Sequence, residues 1–293
     1  MTRTWTVLCI LGWFVIAAPP ARATDDHPGD YIALPPGTNV VVSYSYYGLY
    51  AGAEIGGATF NNNTGLQTAE ELLRFVHYGS LFGHTVDFNA FVPFAWDWDA
   101  QIDGVTLKSA NGFGDPLIAS TIWLLEEPAN GRYFALTPLL SIPLGAYQAG
   151  RTLNVGDNRW SGTLEVAWVE PLIPRTLALE LNGNATWYGD NPRAGSGYQR
   201  LSQQPTYQLQ PWLHWYLSAK SSVALGYFGQ FGGVQRLDGT ENGLRTSEHA
   251  IRINYQRFLT PRLQLSTTVS RDIAVSGGFK QAVLLDVRLA LAF

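Results

Sequence analysis

The stretch GFKQAVLLDVRLALAF, residues 278–293, decides the fold class of this chain. From Val283 to Phe293 every second residue is large and apolar, whereas the residues between them include Asp286, Arg288 and two alanines. Alternation with a period of two residues is typical of a β-strand whose two faces meet different environments. The stretch therefore predicts a strand with one apolar face and one mixed, charged face.

The first 23 residues predict an exported protein. Arg3 gives a positively charged start, residues 5–18 form an uncharged apolar run, and residues 21–23 have the small-x-small form of a cleavage site. The apolar run is shorter than the ~20 residues of a membrane-spanning helix, which favours a signal peptide over the alternative, a membrane anchor. We expect residues 1–23 to be removed, so that the mature chain begins near Thr24.

The composition indicates a surface that faces lipid. Charged residues make up 14 % of the chain, against about 25 % in a typical soluble protein, and aromatic residues make up 13 %. Without residues 1–23 the chain keeps 17 basic and 23 acidic residues and loses its single Cys and single Met. The acidic balance argues against nucleic-acid binding, and a chain without cysteine forms no disulfides.

The distribution of apolar residues restricts how the chain could cross a membrane. After residue 23 no apolar run reaches ~18 residues, so the sequence excludes transmembrane helices. A closed β-barrel is the other structure that satisfies every backbone hydrogen bond in lipid.

Turn-forming residues divide the rest of the chain into twelve predicted strands, an even number as in bacterial single-chain barrels. We predict them at residues 39–50, 71–81, 85–96, 116–126, 133–143, 160–169, 175–188, 206–217, 222–232, 247–258, 262–272 and 279–293. The weak pattern of residues 71–81 leaves ten or fourteen strands as alternatives.

Short and long connections alternate between these strands. The predicted long connections are residues 51–70, 97–115, 144–159, 189–205 and 233–246. A transmembrane barrel has tight periplasmic turns and long external loops, whereas the alternative, a soluble β-sandwich, does not require this alternation. Aromatic residues near strand ends, such as Trp96 and Trp187, suit the two membrane interfaces.

We therefore predict an all-β fold, a transmembrane antiparallel β-barrel of the bacterial outer membrane, over residues 39–293, preceded by a periplasmic lead-in at residues 24–38. Phe293 at the end of the last strand resembles the C-terminal recognition signal of outer-membrane barrels, which implies contact with the barrel-assembly machinery. Barrels of ~8 strands are filled by side chains and those of 16–18 strands hold a wide channel, so twelve strands predict a narrow passage.

Strand periodicity also predicts which side chains line the lumen. The predicted pore-lining residues are Glu165, Glu180, Asn182, Gln208, Gln210, Trp212, His214, Tyr216, Arg252, Asn254, Asp286 and Arg288. Charges of both signs across a narrow lumen would orient polar solutes and set selectivity. Trp212, Tyr216 and Phe228 are bulky enough to narrow the passage and would offer stacking surfaces to an aromatic solute.

We expect neither catalysis nor a metal or cofactor. The chain is similar in length and strand number to outer-membrane phospholipase A, in which a His activates a Ser two positions later. None of the five histidines here precedes a Ser at that spacing, so the sequence offers no nucleophile–base pair. The chain also lacks His/Cys clusters with metal-ligand spacing. Glu165 and Glu180 could act as the paired acids of a sugar hydrolase, an alternative to a role in setting the charge of the pore.

Three short motifs carry a resemblance to a known family. Residues 112–116 (GFGDP), 139–147 (LLSIPLGAY) and 160–162 (WSG) resemble the outer-membrane channel family named for the meta-cleavage pathway of phenol degradation. In that family a Gly-x-Gly-Asp segment opens a strand and a Pro-x-Gly-x-Tyr segment closes the next one. The resemblance extends from about Val40 to Phe293. It implies a transporter in the outer membrane, often associated with the breakdown of aromatic compounds.

We therefore expect an outer-membrane channel for passive uptake of small, hydrophobic or aromatic solutes, in contact with outer-membrane lipid and with both chain ends in the periplasm. A channel for small polar solutes, such as nucleosides or oligosaccharides, is the main alternative. A barrel with a structural or adhesive role and a barrel hydrolase are the others.

Overall fold

The computed structural model describes residues 25–293, so the predicted signal peptide (residues 1–23) lies outside the described residues. Twelve long strands dominate the described chain. In chain order, β1 to β12 span Asn39–Ile55, Ala58–Leu81, His84–Ile102, Leu117–Glu127, Arg132–Ser141, Ser161–Ile173, Leu177–Tyr188, Thr206–Ser218, Ser221–Gly232, Thr246–Phe258, Leu263–Ser276 and Gly278–Ala292. Within residues 25–293, no helix is long and apolar enough to cross a membrane.

The twelve strands form one closed sheet. Each strand pairs antiparallel with the next one along the chain, and β12 pairs antiparallel with β1. At this seam the backbone N–H of Asn39 donates to the carbonyl of Phe293, and the N–H of Phe293 donates to the carbonyl of Asn39, both at 2.9 Å. The predicted fold class, a twelve-stranded antiparallel β-barrel, is therefore confirmed.

The apolar faces of the strands point outward. On β12, the side chains of Leu285, Leu289 and Leu291 are 40–46 % exposed, whereas Asp286 and Arg288 between them are buried inside the barrel. This arrangement is the reverse of that in a soluble protein and suits a barrel whose outer surface meets lipid.

The hairpin of β1 and β2 is longer than the sequence pattern predicts. The predicted long connection at residues 51–70 is wrong, because β1 and β2 continue as a paired ladder to a tight turn at Gly56 and Gly57, both with positive φ. Residues 58–63 have mostly exposed and largely polar side chains. This extension therefore lacks the apolar alternation that marks a lipid-facing strand.

The long connections lie at the barrel end opposite the short turns. Two of them contribute to a small sheet of strands Asn191–Ala194, Gln199–Gln203, Gln235–Leu237 and Thr240–Glu241. The side chains of Ala194, Leu201 and Leu237 are buried together within it. An ordered cap therefore covers part of this end of the barrel.

Asp115 organises a second part of this end. Its carboxylate accepts hydrogen bonds from the backbone N–H of Gly145 at Oδ1 and of Asp157 at Oδ2, both at 2.7 Å. Burial raises the pKa of the Asp115 carboxyl above its usual value, while these hydrogen bonds act in the opposite direction. The carboxylate thus links two connections that are distant in sequence.

Candidate functional site: the barrel lumen

The lumen has two chemically different walls. The apolar wall consists of inward side chains of β1–β4 that belong to one buried hydrophobic cluster: Val40, Val42, Tyr44, Tyr46, Leu72, Val76, Tyr78, Phe91 and Trp123. The amide wall consists of inward side chains of β7, β8 and β10: Asn182, Asn184, Gln208, Gln210, Asn254 and Gln256. Because β1–β4 and β7–β10 occupy opposite halves of the closed sheet, the two walls face each other.

All twelve predicted pore-lining residues lie on the inward face of their strands. Ten of them are buried, and Gln208 and Tyr216 are half-buried. Such burial means that other protein groups cover these side chains, so the lumen is filled over much of its length. Contact of these residues with a passing solute stays a prediction.

The N-terminal segment (residues 25–38) fills the lumen. The backbone N–H of Asp26 donates to Gln210 Oε1 at 3.1 Å, and Trp212 Nε1 donates to the Asp26 carbonyl at 3.2 Å. Gln256 Nε2 donates to the Pro28 carbonyl at 2.6 Å. The predicted periplasmic lead-in is therefore packed inside the barrel, where its backbone hydrogen-bonds to side chains of the wall instead of forming a ladder.

Ion pairs fix the same segment to β12. The Asp30 carboxylate lies 2.9 Å from Arg288 Nη2 and 3.9 Å from Arg74 Nη1. His27 Nε2 lies 2.5 Å from Asp286 Oδ2. Two predicted pore-lining residues, Asp286 and Arg288, are thus bonded to the segment itself.

Tyr31 holds the segment against the apolar wall and the wall of β6. Its ring belongs to the buried hydrophobic cluster, its hydroxyl donates to Glu165 Oε1, and its carbonyl accepts from Trp123 Nε1 at 2.9 Å. The segment therefore bridges the lumen from one side to the other.

Cavities remain on the two sides of the N-terminal segment's attachments and at the loop end of β1–β3. The turn-end cavity, of about 380 Å³, lies beside the N-terminal segment and has Ile32, Leu34 and Val76 on its apolar side and His214 and Ser222 on its polar side. A small cavity of about 30 Å³ lies between the segment and the apolar wall. The loop-end cavity, of about 670 Å³, is lined by the ladder extension of β1–β3 and the connection after β3.

Trp212 is not the open stacking surface that the sequence suggests. Its side chain is 1 % exposed, and the Arg252 guanidinium lies 4.4 Å from its ring centroid. A Cβ atom built on Gly226 would lie only 2.4 Å from the ring, so the indole packs closely against that glycine. Trp212 lies on the inward face of β8, and both faces of its ring contact protein. Tyr216 lines the turn-end cavity instead.

The structure brings together a serine and a histidine that the sequence does not reveal as a pair. His214 Nε2 lies 2.8 Å from Ser222 Oγ, and His214 Nδ1 lies 2.6 Å from Glu180 Oε1. The pair spans the β8–β9 hairpin, in which Tyr216 is paired with Ser222. The register of this hairpin, set by the turn after Ser218, is the feature from which the contact could have been predicted.

Glu165 and Glu180, considered above as paired acids, have separate partners. Glu165 accepts from Tyr31 and from Asn184 Nδ2 at 3.1 Å, whereas Glu180 is bonded to His214 and accepts from the Gly29 N–H at 2.7 Å. Within residues 25–293, no group of three or more His, Cys, Asp or Glu side chains is arranged to hold a metal ion. The acids therefore serve the attachment of the N-terminal segment.

Comparisons with known proteins agree with this architecture. Residues 37–285 match the model of a family described as "Putative MetA-pathway of phenol degradation". The crystal structure of an outer-membrane channel from Pseudomonas putida F1 is 28 % identical, with a TM-score of 0.85 over 92 % of this chain and 100 % of that one. The β domain of the Bordetella autotransporter BrkA, 9 % identical with a TM-score of 0.50 over 88 % of this chain and 100 % of that one, shares the fold alone. Among curated proteins, no sequence matches this chain.

Proposed function

Since this chain belongs to the family described as "Putative MetA-pathway of phenol degradation", we propose that this outer-membrane channel admits small hydrophobic or aromatic solutes by passive diffusion. The family and its structural relative are channels of the outer membrane, not enzymes. The solute class is the part that we add.

The observation that carries the proposal is the apolar wall. Hydrophobic side chains face the lumen along β1–β4 and continue onto the N-terminal segment through Tyr31, Ile32 and Leu34. Contact between apolar surfaces removes them from water, which favours an apolar solute over a polar one at such a wall. A channel that served polar solutes alone would gain nothing from it.

Passage along the lumen requires the N-terminal segment to shift. The segment contacts side chains on both sides of the lumen, and its attachments are hydrogen bonds and ion pairs rather than a β-ladder. A narrow, intermittently conducting channel follows from this arrangement.

Single-channel conductance in a planar bilayer tests the proposal. We expect the refolded mature chain to show a small conductance that phenol or benzoate reduces and a disaccharide does not. Val42→Thr places a hydroxyl on the apolar wall at nearly constant volume and should weaken the block by phenol. Val41→Thr, on the outward face of the same strand, is the matched control. Block by the disaccharide alone would reject the proposal.

The amide wall favours a second candidate, a channel for small polar solutes. Asn182, for example, is 1 % exposed and neither its Oδ1 nor its Nδ2 has a hydrogen-bond partner. Such a wall could hydrogen-bond a sugar or nucleoside once the N-terminal segment shifts. Osmotic swelling of liposomes that contain the channel, with sugars as the solutes, tests this candidate. Sugar uptake that stays unchanged in the apolar-wall variants would support it.

Export and assembly complete the proposal. We propose that residues 1–23 direct export and that β12 with Phe293 is recognised by the barrel-assembly machinery. The outward apolar side chains of β12 support this role, since they are available before the barrel closes.

A further inference from the structure

A hydrogen-bonded relay ends at the turn-end cavity. Glu180, which is fully buried, is bonded to His214 Nδ1 at 2.6 Å, and His214 Nε2 is bonded to Ser222 Oγ at 2.8 Å. The ring of Tyr216 lies 4.4 Å from that of His214 and restricts its orientation. Ser222 and His214 both line the cavity, so the relay presents its last oxygen to that space.

The relay leaves one hydrogen-bonding role open at Ser222. Where His214 Nε2 accepts from the Ser222 hydroxyl, Oγ keeps a lone pair that can accept from a solute. Where Nε2–H donates to Oγ, the Ser222 hydroxyl hydrogen can be donated to a solute instead. A solute hydroxyl, which both donates and accepts, is the complement of this position in either case.

The cavity has the size and the lining of a small-molecule site. Its volume of about 380 Å³ falls within the 300–1,000 Å³ that is usual for ligand pockets. Ile32, Leu34, Val40, Val42 and Val76 supply an apolar side opposite the relay. A molecule with an apolar body and one polar group matches this division.

We propose that the turn-end cavity binds a small apolar solute that carries a hydroxyl group, and that this hydroxyl forms a hydrogen bond with Ser222 Oγ. The inference rests on the proposed function and specifies its solute class: neutral alcohols and phenols in preference to carboxylates. A carboxylate would bring a second carboxylate charge next to the buried Glu180.

The cations around the cavity do not favour a carboxylate at this position. Arg288 and Arg74 are paired with Asp30. Lys220 and Arg262 lie on exposed turns at the rim. A carboxylate that bound through those two residues would remain at the rim, away from Ser222.

Binding of three matched probes tests the proposal. We would titrate 4-ethylphenol, 4-ethylbenzoate and ethylbenzene into the full mature chain in lipid nanodiscs, with empty nanodiscs subtracted. We expect 4-ethylphenol to bind most tightly. Ser222→Ala should weaken its binding about tenfold, because a buried hydrogen bond is lost, and should leave ethylbenzene unchanged. Ser222→Thr keeps the hydroxyl and should retain phenol binding.

Ser221→Ala is the matched control, since Ser221 also lines the cavity but is bonded to Ser218 Oγ at 2.9 Å. Equal affinity for the three probes, or no effect of Ser222→Ala, would overturn the inference. Tightest binding of 4-ethylbenzoate, abolished by Lys220→Ala and Arg262→Ala together, would place the polar group at the rim and would also overturn it. Conductance measurements separate the two proposals, since a channel blocked by phenol without binding at Ser222 would retain the proposed function alone.

Discussion

The backbone N–H of Gly145 donates a hydrogen bond of 2.7 Å to Oδ1 of Asp115, across thirty residues of sequence. Two of the segments that carry the family resemblance, GFGDP at residues 112–116 and the PLGAY end of residues 139–147, therefore meet in space. Their shared role is to fasten the connection after β5 to the start of β4. These residues therefore stabilise the connections and lie outside the lumen walls.

Gly145→Ala should destabilise the barrel. A Cβ atom at this position would lie 2.6 Å from the carbonyl carbon of Gly114 and 2.7 Å from the Asp115 nitrogen, so the backbone must shift. We expect a loss of about 1–3 kcal/mol in the free energy of unfolding, measured by urea titration of the folded fraction. Gly162→Ala, where a Cβ atom would meet nothing within 4 Å, should have little effect. Equal stability of the two variants would contradict this explanation.

Gly226→Ala should loosen the N-terminal segment. The added methyl would displace the Trp212 indole, which donates to the Asp26 carbonyl and lies under Arg252. We expect a higher and noisier single-channel conductance than in the natural protein. Gly79→Ala, with only ordinary contact to Val86 at 3.8 Å, is the control and should conduct normally.

Asp30→Asn should also loosen the N-terminal segment, because it removes a negative charge that two arginines share. It leaves Arg288 and Arg74 without their shared carboxylate inside the barrel, and breaking a buried ion pair costs about 3–5 kcal/mol. We expect a lower urea midpoint and a larger open conductance. Asp190→Asn removes an exposed pair with Arg200 and should change neither quantity. An unchanged conductance in Asp30→Asn would mean that the segment stays in place without this ion pair.

Phe293→Ala should affect assembly more than stability. The Phe293 side chain is 61 % exposed, whereas its backbone closes the seam with Asn39. We expect a lower yield of assembled barrel in outer membranes, measured by the heat-modifiable folded band on gels. The urea midpoint of the refolded variant should match that of the natural protein. A lower midpoint with normal assembly would reject a role in recognition.

The strands could be predicted because lipid and lumen impose a period of two on each of them. All twelve predicted strands overlap strands of the barrel, from Asn39–Ile55 to Gly278–Ala292. The pattern fails at residues 58–63, where three consecutive asparagines (Asn61, Asn62 and Asn63) interrupt the alternation, and such residue types suggest a loop. Periodicity thus reports the environment of a strand rather than its hydrogen bonds.

The contents of the lumen could be predicted only in part. The alternation along each strand predicts that the side chains of Asp286, Arg288 and the other proposed lining residues point inward. The placement of Asp30 between Arg288 and Arg74 does not follow from it, because residues 25–38 have no period and their partners lie up to 259 positions away in the sequence. The contact of His214 with Ser222 likewise depends on hairpin register, because a slip of two residues would keep the same side chains on the inward face.

The seam between Asn39 and Phe293 also constrains the order in which the molecule folds. The ring shuts only when its first and last strands meet, a contact between residues from opposite ends of the sequence, and contacts of such long range form slowly. Residues 25–34 bind side chains from β7, β8, β10 and β12, all of which come from the second half of the chain. The first residues of the segment therefore reach their final position late in folding, after most of the strands that follow them have formed.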